Sequence, residues 1–262
     1  MSSPARIALV TGASRGIGRA VATRLAQAGY RVAVAARSES QIGQVADEIG
    51  ARALTLDVGH AGAVEAAIAT VEREVGPLSL LINNAGTAGD GGFSWEQAPD
   101  RWWQVFEVNV LGTFLCCRAA LPHMRSRGHG RIVNISSNAA FFSLLGPADA
   151  RIGSAYMASK AAVIRFSEAL AAEARPDGVQ VFAISPGTVK SDMTAGIFKA
   201  EWDDEALWSP PELTADLIEF LDTGALDALS GRYIHAANDD WRAFPARVAE
   251  ILEADGHSLR VR

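Results

Sequence analysis

The chain has 262 residues, a length that suits one large α/β domain, and 49% of them are apolar, which is enough for a substantial core. Its formal net charge is −6 and its lysines and arginines are scattered, so neither nucleic acid nor an anionic membrane is expected as a partner. The sequence shows no signal peptide, no apolar run that would span a bilayer and no metal-ligand spacing of its histidines, so we expect no membrane insertion and no bound metal.

Six short apolar runs alternate with longer stretches of helical composition. The runs are apolar almost without interruption, which is typical of strands buried on both faces of a parallel sheet. Three of the helical stretches end at a glycine, the usual helix stop. The predicted strands are 6–11, 31–36, 51–58, 78–86, 130–137 and 179–187, and the predicted helices are 16–29, 39–50, 61–76, 98–127 and 154–175.

This alternation predicts a three-layer α/β fold, in which a doubly wound, Rossmann-like parallel sheet lies between two layers of helices. No linker rich in Pro, Gly or Ser and no internal repeat interrupts the pattern. We therefore expect a single domain over residues 1–262. Its C-terminal tail, 236–262, is charged and has helical composition.

The two long predicted helices, 98–127 and 154–175, are apolar on nearly all sides. A helix packed on a sheet needs only one apolar stripe, so a second apolar face requires another cover. A second subunit is the simplest cover and predicts a homodimer or homotetramer, although loops or the C-terminal tail could serve instead. Cys116 and Cys117 are adjacent in the first helix and point in different directions, which predicts reduced thiols and a cytoplasmic protein.

A glycine-rich loop, TGASRGIG at 11–18, follows the first predicted strand and opens the first helix. Gly12, Gly16 and Gly18 allow positive φ angles and a close approach of the backbone to a ligand. The helix N-terminus offers free N–H groups and a partial positive charge to a pyrophosphate. A loop of this kind alone is a weak signal, but its position between the first strand and the first helix favours a dinucleotide site.

This loop resembles the T-G-x-x-x-G-x-G pattern of the short-chain dehydrogenase/reductase family, in its shorter, single-domain branch. Three further motifs follow in that family's order: NNAG at 83–86, the serine pair that ends strand 130–137, and Tyr156 four residues before Lys160. The resemblance implies an NAD(P)-dependent oxidoreductase that interconverts a carbonyl and a secondary alcohol by hydride transfer. The cofactor-binding positions that it implies are Gly12, Ser14, Arg15, Gly16, Ile17, Gly18, Arg37, Asp57, Val58, Asn84, Ala85, Gly86, Tyr156, Lys160, Pro186, Gly187, Val189 and Ser191.

The choice of cofactor depends on the residues after the second strand. Where NAD-binding folds place an acidic residue, this chain has Ala36 followed by Arg37. Arg37, together with Arg15 in the glycine loop, resembles the NADP-preferring members of the family, since arginine suits a 2′-phosphate. We therefore expect NADP(H) to be preferred over NAD(H). The alternative is that Arg37 is a solvated loop charge, and the nearby acidic residue Glu39 weakens the expectation of NADP(H). Asp57, another of the implied cofactor positions, could instead cap the helix that follows it.

Tyr156 and Lys160 share one face of a helix because they are four residues apart. A nearby ammonium stabilises a phenolate, so we expect Lys160 to lower the pKa of Tyr156 from about 10 towards neutrality. Tyr156 would then exchange a proton with the substrate oxygen near pH 7. An isolated Tyr and Lys at this spacing are more often a surface feature of a helix. The resemblance to the family favours the catalytic interpretation, and it implies that Lys160 also holds the nicotinamide ribose.

The resemblance assigns two further catalytic positions. Ser137, at a strand's carboxyl end where doubly wound folds bind ligands, is expected to orient the substrate carbonyl, with Ser136 as the fallback. Asn109 is expected to support a water-linked proton relay, although a lone helical asparagine is more often structural. The predicted catalytic set is therefore Asn109, Ser137, Tyr156 and Lys160.

Two segments could form the substrate pocket. Eighteen residues separate Ser137 from Tyr156, more than the family usually has, and they form either an apolar pocket wall or a surface excursion. Residues 192–211, which overlap the nicotinamide-contacting turn at 185–194, predict either a mobile lid over an apolar substrate or a plain amphipathic surface helix. The large apolar residues concerned are Phe141, Phe142, Leu144 and Leu145 in the first segment and Met193, Ile197, Phe198, Trp202, Leu207 and Trp208 in the second.

The last strand of the family pattern corresponds to SGRYIHAANDDW at 230–241, which lacks the usual glycine-rich ending. The family often uses this edge for oligomer contacts, so the departure from its usual ending leaves the choice between a dimer and a tetramer open. The leading interpretation is an NADP(H)-dependent oxidoreductase acting on a small, apolar carbonyl or alcohol, with Tyr156 as the acid/base. The alternatives are an NAD-dependent alcohol dehydrogenase of the same family and a non-catalytic nucleotide-binding sensor.

Overall fold

A seven-stranded parallel sheet forms the centre of the computed structural model, which describes residues 6–141 and 152–260. The strands are β1 (Ile7–Thr11), β2 (Arg31–Ala36), β3 (Arg52–Thr55), β4 (Leu80–Asn83), β5 (Gly130–Ile135), β6 (Val179–Ser185) and β7 (Tyr233–His235). Their order in the sheet is β3-β2-β1-β4-β5-β6-β7, and the neighbours are parallel. The predicted Rossmann-like α/β fold and all six predicted strands are confirmed.

Both faces of the sheet are covered, and successive strand residues alternate between two cores. In β1, Ala8 and Val10 belong to the core on one face, whereas Ile7 and Leu9 belong to the core on the other. All four side chains are buried. This burial on both sides is the physical reason why the strands form continuous apolar runs in the sequence.

Within the described residues, the five predicted helices are present close to their predicted bounds, together with three further α-helices. The helices are α1 (Gly16–Gln27), α2 (Glu39–Ile49), α3 (Ala61–Thr70), α4 (Pro99–Phe106), α5 (Gly112–Ser126), α6 (Ser154–Ala174), α7 (Asp192–Ala195), α8 (Pro211–Asp222) and α9 (Phe244–Glu253). α2 ends at Gly50, whose φ of +66° is the left-handed conformation that stops a helix. α9 is the helix expected in the C-terminal tail.

The predicted helix 98–127 is continuous from Pro99 to Ser126, and a π-helical turn at Glu107–Leu111 joins α4 to α5. By length and composition this helix could cross a membrane, so the expectation that no run is long enough is wrong. Its apolar composition has another use in this fold, because α5 packs against α3 and against the sheet. Cys116 and Cys117 are free thiols buried in that contact.

The C-terminal tail folds back along β7, the edge strand of the sheet. Tyr233 donates its backbone N–H to the carbonyl of His257 at 2.8 Å, and Leu259 packs against the apolar cluster around Tyr233. Arg260 forms an ion pair with Glu168 of α6. The tail therefore lies against the edge of the sheet that β7 forms.

Candidate active site

The glycine loop after β1 is fixed to the end of β4 by hydrogen bonds. Thr11 Oγ1 accepts from the backbone N–H groups of Asn84 (3.0 Å) and Ala85 (3.1 Å). The Asn84 side chain donates in return to the carbonyls of Thr11 (2.9 Å) and Gly12 (3.0 Å). The carboxyl ends of these two strands therefore form one rigid rim, and α1 begins beside it at Gly16.

The three glycines of the motif serve different purposes. The φ angles of Gly12 (+65°) and Gly16 (+55°) lie in the left-handed region that favours glycine. Gly18 lies inside α1, and a Cβ there would lie 2.4 Å from the Asn84 amide nitrogen and 2.5 Å from the Gly12 carbonyl oxygen. Gly18 therefore allows α1 to pack tightly on the loop.

A cavity of about 420 Å³ lies at this rim, beside the N-terminus of α1, and its size suits a small-molecule ligand. Eight predicted cofactor positions line it: Gly12, Ser14, Arg15, Arg37, Asp57, Val58, Ala85 and Gly86. Residues that the motifs did not indicate also line it, among them Ser38, Gln41, Thr87 and Arg101. We call this space the nucleotide cavity.

The arginines expected at the cofactor phosphate have different surroundings. Arg37 is exposed at the end of β2, next to Ser38, which begins α2. Glu39 lies in the first turn of α2 and is absent from the described residues that line the nucleotide cavity. Arg15 pairs with Asp192 of α7 at 2.6 Å, and both side chains are exposed.

Several predicted cofactor positions also have local structural roles. Asp57 accepts the N–H of Gly59 at 3.0 Å and so closes a turn; α3 begins after His60, so Asp57 does not cap it. Ile17 packs against the core beside the sheet. Ser191 caps α7, exchanging hydrogen bonds with Thr194.

The turn after β6, which contains Pro186, also has a steric requirement. Gly187 has a φ of +85°, and a Cβ there would lie 2.3 Å from Ser209 Oγ. Val189 is buried. The turn therefore brings the backbone of residues 185–189 close to the segment that carries Ser209.

Lys160 is buried where α6 packs on the end of β5. Its Nζ donates to the Ile135 carbonyl at 2.8 Å, and its own carbonyl accepts from Ser136 Oγ at 2.9 Å. Burial lowers the pKa of Lys160 to about 8, because the ammonium loses its hydration. Ser136 is committed to this contact, which leaves Ser137 as the member of the serine pair that lines a cavity.

Tyr156 and Ser137 line a second cavity of about 280 Å³ at the carboxyl ends of β5, β6 and β7. Ser137 Oγ accepts the N–H of Ala139 at 3.1 Å. This cavity, which we call the substrate cavity, therefore has two hydroxyl groups side by side in its wall.

The pKa of Tyr156 differs from the sequence-based expectation. Burial raises this pKa above its ordinary value, and the nearby Ser137 hydroxyl opposes only part of that rise. The Lys160 ammonium is 5.6 Å from the centre of the Tyr156 ring and donates to Ile135. The expectation that Lys160 lowers this pKa towards neutrality is therefore wrong, because lost hydration outweighs the distant positive charge.

Residues 192–211 lie over the substrate cavity, to which Met193, Ile197, Phe198 and Leu207 contribute apolar side chains. Before α8 begins at Pro211, only Asp192–Ala195 is α-helical in this segment, so a plain amphipathic surface helix does not describe it. Trp202 and Trp208, which also belong to this segment, are in edge-to-face contact, with their ring centres 5.1 Å apart. Their contact ties the segment together.

The long segment before Tyr156 is described only in part. Phe141 packs against Tyr233, with ring centres 4.9 Å apart, and is partly exposed. Phe142, Leu144 and Leu145 lie outside the described residues.

Asn109 is buried in the π-helical turn between α4 and α5. Its amide oxygen accepts the N–H of Thr87, and its amide nitrogen donates to the Thr87 carbonyl and to Ser159 Oγ, each at 2.9 Å. Its backbone carbonyl accepts from Thr113 at 2.8 Å. These bonds favour the structural alternative, in which Asn109 ties the segment after β4 to α6.

The geometry agrees with comparisons to known proteins. A family model described as short chain dehydrogenase matches residues 6–202. The chain belongs to this family. It is therefore an enzyme, an NAD(P)-dependent oxidoreductase that acts on small molecules.

Three relatives of this short-chain dehydrogenase cover most of its length. A short chain dehydrogenase of Monascus purpureus, mpl6, is 37% identical over 261 residues, which are 95% of this chain and 86% of that protein. The 3-oxoacyl-(acyl-carrier-protein) reductase FabG of Escherichia coli is 35% identical over 75% of this chain and 79% of that protein. A crystal structure of an actinorhodin polyketide ketoreductase variant with NADPH superposes with a TM-score of 0.80 and 32% identity, over 88% of this chain and 95% of that chain.

Gly18→Ala is expected to lower the melting temperature, because its methyl group would overlap the Asn84 amide and the Gly12 carbonyl. Overpacking of this kind costs about 1–3 kcal/mol. Gly43→Ala is the matched control, since Gly43 lies in α2 with nothing within 4 Å of its Cβ position, and it should leave stability unchanged or raise it. Thermal unfolding followed by circular dichroism measures both, and equal melting temperatures for the two variants would contradict the packing role of Gly18.

Lys160→Met tests the lowered pKa of the buried ammonium. Since the folded pKa is about 8 and the ordinary value is 10.5, the unfolded chain binds more protons between these pH values, and wild-type stability rises with pH there. The variant lacks this titrating group. The free energy of unfolding of wild type, minus that of the variant, should therefore increase by up to about 3 kcal/mol as pH rises from 7 towards 10.5. Urea unfolding at several pH values measures it, and a difference independent of pH would count against the buried charge.

Proposed function

We propose that this short-chain dehydrogenase is an NADPH-dependent ketoreductase, which reduces a small-molecule ketone to a secondary alcohol with Tyr156 as the proton donor. The observation that carries the proposal is that Ser137 and Tyr156 share the wall of the substrate cavity. The substrate and nucleotide cavities both lie at the carboxyl edge of the sheet, where doubly wound folds bring ligands together. Reductases among the relatives give further support.

The residues of the nucleotide cavity fit a dinucleotide phosphate. The glycine loop admits a close approach of the backbone, and the N-terminus of α1 favours a phosphate group. Arg37 stands exposed at the end of β2, where its guanidinium can pair with a 2′-phosphate. The related ketoreductase was crystallised with NADPH, which supports the preference for NADP(H). When bound, the cofactor supplies the hydride that the carbonyl carbon accepts.

The raised pKa of Tyr156 favours reduction as the working direction. A half-buried phenol with a raised pKa stays protonated at neutral pH, and a protonated phenol is the acid that a developing alkoxide needs. As the carbonyl carbon gains hydride, its oxygen takes the proton of Tyr156 and becomes a hydroxyl. Ser137 donates a hydrogen bond to the same oxygen and holds it in place. The Lys160 ammonium, 5.6 Å from the ring centre, stabilises the phenolate until solvent returns a proton.

The surface of the long helices supports a homodimer or homotetramer. Leu111 and Phe114 are exposed on the helix that contains α5, and Phe114 meets Phe166 of α6 edge to face at 6.1 Å. A groove of about 340 Å³ runs between these helices. A second copy of the chain would cover this apolar face. The buried free thiols support a reduced, cytoplasmic protein.

Tyr156→Phe is expected to lower kcat by about 100- to 10,000-fold, because it removes the proton donor while keeping the ring. The Kd for NADPH should change little. Tyr30→Phe is the control, since Tyr30 bonds to Asp222 far from the cavity and should leave kcat unchanged. Ketone-dependent loss of NADPH absorbance gives kcat, and full turnover by the Tyr156 variant would remove it from the mechanism.

Arg37→Asp is expected to shift the ratio of kcat/KM for NADPH over NADH by about 10- to 100-fold towards NADH, as a charged hydrogen bond is lost and a repulsion gained. Arg19→Asp changes the charge equally on α1, where Arg19 pairs with Glu48 outside the cavity, and serves as the control. A wild-type preference for NADH, or an equal shift in both variants, would refute the assignment of Arg37.

A further inference from the structure

His235, at the end of β7, holds its imidazole in one fixed orientation. The backbone N–H groups of Ala237 (3.2 Å) and Asn238 (3.0 Å) both donate to its Nδ1. Nδ1 is therefore an acceptor, and the proton of the neutral ring must be on Nε2. Burial lowers the pKa of His235, while Asp239 opposes that shift in part, so the neutral form prevails at pH 7.

This imidazole lines the substrate cavity with Tyr156 and Ser137. Alternate strand residues share a face, so His235 lies on the same face of β7 as Tyr233, which packs with Ile164 of α6. The His235 side chain is buried. Because its Nδ1 edge is occupied by the backbone turn, the opposite edge, which carries Nε2–H, is the one available to a ligand.

The reacting carbonyl does not need this donor. Its oxygen already has two donors in Ser137 and Tyr156, and one carbonyl oxygen has two lone pairs. The Nε2–H has no acceptor among the described residues and lies at the cavity, so it is free to donate to a ligand that brings a second oxygen. Asn138 and Asn238 also line the cavity, whereas Met193 and Phe198 of segment 192–211 supply apolar surface. The cavity therefore combines one polar region with one apolar region.

We propose that His235 Nε2–H binds a second oxygen of the substrate and that the substrates are apolar dicarbonyl or hydroxycarbonyl compounds. The inference rests on the proposed ketoreductase function. In this role His235 is a specificity residue: it takes no part in proton transfer, and it aligns the molecule so that one particular carbonyl reaches Tyr156.

His235→Asn separates the two functions of the ring. The Oδ1 of an asparagine is bonded to Cγ, as Nδ1 is, and can accept the N–H groups two and three residues ahead, as in an Asx turn. The Nε2–H is lost, because the asparagine Nδ2 takes the position of Cδ2 and ends one bond short of Nε2. His235→Ala loses both functions and reports the cost of the turn. Melting temperatures near that of wild type for His235→Asn and below it for His235→Ala would establish this separation.

The test compares matched ketones with and without a second carbonyl. Hexane-2,5-dione is paired with hexan-2-one, heptane-2,6-dione with heptan-2-one, and 3,3-dimethylpentane-2,4-dione, which cannot enolise between its carbonyls, with 3,3-dimethylpentan-2-one. For each pair, kcat/KM with NADPH is measured for wild type and for His235→Asn, and each dione value is halved for its two carbonyls. Intrinsic reactivity cancels when the dione-to-ketone ratio is compared between the two proteins.

We expect the substitution to lower kcat/KM by about 3- to 10-fold for at least one dione and to leave its matched monoketone unchanged. The Kd for NADPH should stay the same. Equal losses for dione and monoketone, or a weaker Kd for NADPH, would show a structural or cofactor role and overturn the inference. No reduction of any ketone by wild type would overturn the proposed function and this inference with it, whereas reduction without any change in the ratio overturns the inference alone.

Discussion

The position of the reactive phenol depends on how α6 is attached to the end of β5. The ammonium of Lys160 donates to the Ile135 carbonyl, and Ser136 donates to the Lys160 carbonyl, so one turn of α6 is held at the strand terminus. Tyr156, one turn earlier, is thereby placed beside Ser137, the residue after Ser136. The cost is a cation with little hydration, whose pKa falls to about 8. The buried ammonium therefore lowers the stability of the fold, and its contacts hold the hydroxyl groups of Tyr156 and Ser137 beside each other.

The rest of the site follows from the parallel sheet. All strands end at the same edge, so the glycine loop after β1, the serines after β5 and the imidazole at the end of β7 meet there although they are far apart in the sequence. Hydrogen bonds then set the finer geometry. Asn84 fastens the glycine loop to β4, and Asn109 joins the segment after β4 to α6. Apolar residues of 192–211 close the substrate side.

The fold could be predicted from the sequence because its strands are buried on both faces and are therefore continuous apolar runs. Motif order assigns Tyr156 and Ser137 to one site, and both line one cavity wall, since both lie next to regular elements. The direction of the Tyr156 pKa shift was not predictable, because it depends on burial and on where the Lys160 hydrogens point. The sequence did not point to His235, because the backbone groups that donate to its ring and the cavity that it lines are formed only when the chain folds. For the helix Pro99–Ser126, composition alone does not distinguish a helix packed in a protein core from one that spans a membrane, because both are long and apolar.

The ionisation of the Tyr156 hydroxyl, followed by NMR with 13C at Cζ of tyrosine, tests the coupling between this phenol and Lys160 most directly. The chain has only three tyrosines, so Tyr156→Phe assigns the signal without further labelling. Burial of the phenol beside a lysine that bonds elsewhere predicts a Tyr156 signal still in the protonated form at pH 10. Half-ionisation of Tyr156 below about pH 9 would mean that the ammonium governs the phenol, and would contradict a proton donor whose pKa is set by burial.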